Sequence, residues 1–124
     1  LITAMPRIVA VQSEHCDPFV KAYLAGGTKP AAVTPRPTMA EGIAIGVPAR
    51  GEEILAYSYR YGIEMITAPE HRILPARRAL AAKGIYCEHT TAATYAAYLE
   101  YNETRGPAAD CLIPMCGAGL KSDH

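Results

Sequence analysis

Arg7-Ile8-Val9-Ala10-Val11-Gln12, followed closely by Asp17-Pro18 and then Phe19-Val20-Lys21-Ala22-Tyr23-Leu24, is the stretch on which the fold turns. A β-branched and small apolar run, bounded by Pro6 and a polar cluster, reads as a buried strand. Asp17 offers an N-cap and Pro18 takes the first helical position, where its fixed φ and missing N–H do no harm. The helix then runs until Gly26-Gly27 stops it. A buried strand feeding a helix is the opening half of a βαβ unit.

The rest of the chain continues the alternation. Residues 26–37 hold two glycines and three prolines and form a loop, long enough to suggest function or mobility. Residues 39–48 are small and apolar with Gly42 and Gly46, which predicts tightly packed irregular backbone passing close to something. A helix is predicted over 52–61, ending at Gly62 as a C′ residue. A strand over 64–67 follows. Pro69-Glu70 opens a helix that ends near Gly84, with Pro75 separating or kinking its first turn. Residues 85–87 form a short extended step, and Thr90 or Thr91 caps an Ala- and Tyr-rich helix to about Thr104. A last strand over 110–115 feeds Cys116-Gly117-Ala118-Gly119. Strands separated by helices imply a mainly parallel sheet covered on both faces. The expected class is α/β, a three-layer αβα arrangement forming one domain over residues 1–124.

Composition narrows the function. The chain is 50% hydrophobic and 19% charged, enough apolar material for a core. Its twelve basic and twelve acidic residues cancel, so no nucleic acid or anionic membrane is implied as a partner. No run approaches a membrane span, and the N-terminus lacks the basic lead-in of a signal peptide. The chain opens on Leu1 rather than Met, which reads as a chain continued upstream. Cys16, Cys87, Cys111 and Cys116 show no Cys-x-x-Cys spacing. Cys87 and Cys111 lie in apolar runs and are expected to be buried. A reducing, cytoplasmic setting suits free thiols.

Three segments, in order, carry a resemblance. Ala40-Glu41-Gly42-Ile43-Ala44-Ile45-Gly46-Val47-Pro48 resembles the A-x-G-I-x-I-G-x-P stretch of threonine synthases. Leu80-Ala81-Ala82-Lys83-Gly84-Ile85-Tyr86-Cys87-Glu88-His89-Thr90-Thr91-Ala92-Ala93 resembles their L-A-x-x-G-x-x-x-E-P-x-S-A-A, with His89 in place of proline. Met115-Cys116-Gly117-Ala118-Gly119-Leu120-Lys121 is similar to their closing x-T-G-x-G-L-K. Order and spacing over nearly the whole chain make this set characteristic of fold-type II pyridoxal-phosphate enzymes, and of their threonine-synthase branch.

The resemblance implies the C-terminal part of a tryptophan-synthase-β-like fold and of the large, cofactor-binding domain of a longer enzyme. It implies pyridoxal 5′-phosphate as the cofactor of the full-length protein, with Cys116, Gly42, Glu88 and Gly117 as cofactor-binding positions. Cys116 would face the pyridine nitrogen, where threonine synthases usually carry Thr and some serine dehydratases carry Cys. Backbone around Gly42 would lie beside the ring, and Glu88 near its substituted edge. The Schiff-base lysine and the glycine-rich phosphate loop lie upstream in this family. None of Lys21, Lys29, Lys83 and Lys121 follows the Ser-x-Lys pattern, so no catalytic residue is assigned to this chain and it is expected to be inactive alone. The implied reaction is conversion of O-phosphohomoserine to threonine, with an amino-acid substrate and a homo-oligomeric enzyme. An ammonia-lyase, dehydratase or cysteate synthase is the neighbouring alternative. A free-standing, non-enzymatic α/β module that binds a ligand or subunit is the alternative of another class.

Other polar residues have plainer readings. Gln12, Ser13, Glu14, His15 and Asp17 form a knot where related enzymes bind a divalent cation, yet Gln12 stands where the first carboxylate would be, so no metal is expected. Tyr57 and Tyr61, one turn apart, suggest packing. His71 is expected to be solvated. Glu88 could equally serve as a carboxylate at the start of the next helix.

Overall fold

The structure, a computed structural model, describes residues 2–121. Its elements are β1 (Val9–Ser13), α1 (Pro18–Leu24), a 3-10 turn (Glu41–Ile43), α2 (Gly51–Tyr61), β2 (Glu64–Ala68), α3 (Glu70–Ala81), α4 (His89–Arg105) and a closing 3-10 turn (Gly119–Lys121). β1 and β2 pair in parallel, Ala10 opposite Met65 and Val11 opposite Ile66. Because successive strand residues point to opposite faces, these two rows enter different layers. Ala10 and Met65 pack with Val20, Leu55, Phe19 and Tyr23 of α1 and α2. Val11 and Ile66 pack with Ile73 and Leu80 of α3 and with Ala92, Ala93 and Ala97 of α4. The result is the expected α/β sandwich of three layers. Among the described residues its sheet has two strands.

Local signals explain most boundaries. α2 stops at Gly62, whose φ of 63° is the left-handed conformation a C′ glycine adopts without strain. Asp17 takes the N-cap position of α1, but its side chain makes no capping bond. The cap comes instead from Gln12, whose Oε1 accepts the amides of Phe19 at 2.9 Å and Val20 at 3.1 Å. α3 is one helix through Pro75, so its first turn is not separate. Pro75 is exposed, and solvent can reach the neighbouring main chain.

Two further expectations need correction. Residues 110–115 are not a strand: they have no ladder partner, and Cys111 is exposed rather than buried. An apolar run needs a neighbour with free main-chain groups to become a strand, and none lies alongside among the described residues. α4 begins at His89 with Glu88 as N-cap, ahead of Thr90 and Thr91. Glu88 is held extended by a bond to Gly117, so the helix starts at once after it. No helix among the described residues is long and apolar enough to cross a membrane.

All four cysteines are free. Burial is the leading cause that raises the thiols of Cys16 and Cys87 above their ordinary 9.0, joined at Cys16 by the charge of Asp17 and opposed at Cys87 by Arg77. The folded chain therefore keeps protons that the unfolded chain releases above pH 9.0, and stability falls as pH rises through that range. Urea unfolding in reducing buffer should show stability insensitive to these groups at neutral pH and declining in alkali. A Cys16→Ala, Cys87→Ala variant should decline less steeply; an identical slope would remove the thiols as the cause.

Candidate functional site

The N-terminal end of α4 is where the distant motifs meet. Glu88 N–H donates to the Gly117 carbonyl at 2.9 Å, and Gly119 N–H donates to the Tyr86 carbonyl at 3.0 Å. Cys87 and Ala118 form an antiparallel bridge between these two bonds. The segment carrying Cys116 and Gly117 is thus stitched to the residues that enter α4. A Cβ on Gly117 would fall on the Glu88 carboxyl group, so that side chain lies directly across the Gly117 backbone. From the other side, the 3-10 turn approaches so closely that a Cβ on Gly42 would stand 2.9 Å from Thr90 Oγ1.

Gly42, Glu88, Gly117 and, by its place in the chain, Cys116 therefore gather at one helix end. The Cys116 thiol is exposed, with the Pro114 carbonyl at 3.9 Å as its polar neighbour. A carboxylate sits at a helix N-terminus, the end of the helix dipole that carries partial positive charge. The hollow of about 300 Å³ beside β1 is a different feature: Val11, Gln12, Ile43, Ile45 and Met65 line it, and it shares Gly42 with the cluster. It is apolar and has neither Glu88 nor Cys116 in its wall, so the α4 terminus is the better chemical candidate.

Two sets of residues that sequence reasoning left out hold this arrangement. Glu70, at the start of α3, accepts from Thr38 Oγ1 at 2.6 Å and from the Met39 amide at 2.5 Å, which fixes the approach to the 3-10 turn. Its own amide donates to Glu14 Oε1 at 2.6 Å, and Ser13 and Thr38 hydroxyls lie 3.0 Å apart. The polar knot is thus structural. Among the described residues no group of three or more His, Cys, Asp or Glu could hold a metal ion. Arg77, on α3, reaches from below the bridge to two carbonyls. Helical spacing puts Arg77 on a face with Ile73 and Leu80, but no sequence pattern announces the two carbonyls it meets. Tyr57 and Tyr61 stack at 6.0 Å and His71 is exposed, as their spacing and neighbours suggested.

A carboxylate across the backbone of Gly117, a cysteine next to that glycine in the chain, and a second glycine close by at Gly42 suit one edge of a flat heteroaromatic ring. The amine is another matter. Lys21 pairs with Asp17 at 3.1 Å and Lys29 with Glu52 at 3.3 Å, while Lys83 is exposed just past the end of α3. The side chain of Lys121 lies outside the described residues. The described residues fit the ring side of a pyridoxal group.

A threonine synthase from Synechocystis sp. is 29% identical over 118 residues, covering 94% of this chain and 29% of that protein. The crystal structure of a threonine deaminase from T.th. superposes with a TM-score of 0.64 at 24% identity, covering 95% of this chain and 41% of that one. At that identity the likeness is one of fold. This chain spans less than a third of the curated threonine synthase it matches. A family model described as pyridoxal-phosphate dependent enzyme matches residues 2–117, nearly the whole sequence. The chain belongs to the family of pyridoxal-phosphate-dependent enzymes.

Proposed function

We propose that this chain is the C-terminal part of the cofactor domain of a threonine synthase, which converts O-phosphohomoserine and water to threonine and phosphate in the cytoplasm. The observation that carries the reading is the convergence of Gly42, Glu88 and the Cys116-Gly117 pair on the start of α4, from three motifs far apart in sequence. When bound, pyridoxal phosphate supplies an electron sink for charge developing on the amino acid.

The chain's residues give that group one wall. Cys116 offers a neutral hydrogen-bond partner to the ring nitrogen, which leaves the ring largely unprotonated and suits elimination and replacement. Gly42 keeps the backbone low beside the ring face. Glu88 lies across Gly117 and presents its carboxylate to the ring's edge, where it can accept a proton-bearing group. The amine that holds the cofactor and moves the substrate's α-proton comes from the upstream part of the enzyme.

The test uses the full-length coding sequence. The full-length protein should show the visible absorption of lysine-linked cofactor and release phosphate from O-phosphohomoserine. This chain alone, incubated with pyridoxal phosphate, should show no such band; a strong one would refute the division of labour. Cys116→Ala in the full-length enzyme should weaken cofactor binding by up to about tenfold, the worth of one hydrogen bond. Keto acid released from threonine, with no phosphate release, would move the reaction to a dehydratase, the class in which a cysteine at this position also occurs.

A further inference from the structure

We propose that Arg77 is a positioning residue. Its guanidinium latches residues 117–121 onto the entry of α4 and so keeps Cys116 beside Glu88. The functional half of this statement rests on the cofactor reading above; the mechanical half stands on geometry.

Arg77 is buried on α3. Its Nε donates to the Cys87 carbonyl at 2.9 Å, and its Nη2 donates to the Gly119 carbonyl at 3.2 Å. One guanidinium thus reaches both sides of the Cys87–Ala118 bridge. Its carbon lies 4.8 Å from the centre of the Tyr86 ring. A Cβ on Gly119 would meet that same ring at 2.6 Å, so Gly119, Tyr86 and Arg77 form a layered contact that excludes a side chain.

The described main-chain ladder of this strap is two bonds, Glu88 to Gly117 and Gly119 to Tyr86. A ladder of two bonds is only marginally stable in water on its own. A planar fork of fixed donors can bind two carbonyls at once, which a lysine ammonium on a flexible stem does poorly. Removing it leaves two carbonyls without their charged donor, and the strap loses its anchor.

Amide hydrogen exchange by NMR on this chain reads the latch directly. In Arg77→Met the Glu88 and Gly119 amides should exchange roughly tenfold faster or more, the size of one lost charge-assisted hydrogen bond. The Glu64 amide, which donates to the Ile8 carbonyl at 3.1 Å in the sheet, should keep its rate. If Arg77→Met does not fold, Arg77→Lys provides the same comparison. Unchanged exchange at Glu88 and Gly119, or equal acceleration at Glu64, would overturn the latch. In full-length enzyme loaded with pyridoxal phosphate, Arg77→Met should also shift the cofactor's visible absorption. Fast amides with an unshifted spectrum would leave the latch standing and overturn the placement of Cys116 at the ring.

Discussion

Ile73→Ala should destabilise the chain by about 2–5 kcal/mol, toward the upper end of that range. Ile73 is fully buried where α3 meets α4 and the sheet. The other buried members of its core cluster are chiefly alanines: Ala40, Ala68, Ala92, Ala93 and Ala97. Alanine has no rotamer with which to fill a void, and its methyl is already in contact. The cavity therefore persists instead of collapsing, which is what makes a truncation expensive. Against a typical total of about 5–15 kcal/mol, such a loss leaves a marginal fold. Urea unfolding should show a lower midpoint at unchanged slope. Ile73→Val, which removes one methylene, should cost about 0.5–1.5 kcal/mol. If the alanine variant lost no more than the valine one, the idea of a cavity that cannot close would be wrong.

Gly46→Ala should be the more damaging of two alanine substitutions in the two-glycine segment, at about 1–3 kcal/mol. Its new Cβ would fall inside contact distance of the Val33 carbonyl oxygen and stand 3.0 Å from Pro35 Cδ. Neither obstacle can rotate aside: one is main chain and the other a closed ring. Relief requires the loop over residues 26–37 to move as a body. Gly42→Ala provides the contrast, since it meets the Thr90 hydroxyl, the end of a side chain with another rotamer available. Thermal melts of the two variants should rank Gly46→Ala below Gly42→Ala. The reverse order would show that the loop yields more easily than a threonine side chain.

Much of the architecture was legible because it is local. The β-branched run of β1, the proline at the start of α1 and Gly62 after α2 each act within a few residues. The misreadings involve partners far away in the chain. Residues 110–115 look like a strand in composition, yet a strand is a relation between two segments. Thr90 and Thr91 are good caps in isolation, but the Gly117 carbonyl sets Glu88's backbone and the helix begins before them. Gln12 caps α1 across a turn, a role no local pattern announces. The site followed the same rule. Cys116, Gly42, Glu88 and Gly117 were singled out by family likeness, whereas the role of Arg77 needed coordinates, because it depends on the carbonyls of Cys87 and Gly119.

The parallel pairing of Val9 with Glu64 has a kinetic consequence. α3 and α4 are neighbours in sequence and share the largest interface between elements, so their hairpin can form early from short-range encounters. The sheet must wait until everything between β1 and β2 has been drawn into a closed loop, at an entropic cost that contacts recover only afterwards. Folding should thus nucleate in the C-terminal half. The helical pair would then serve as the template onto which β1 and its two covering helices condense.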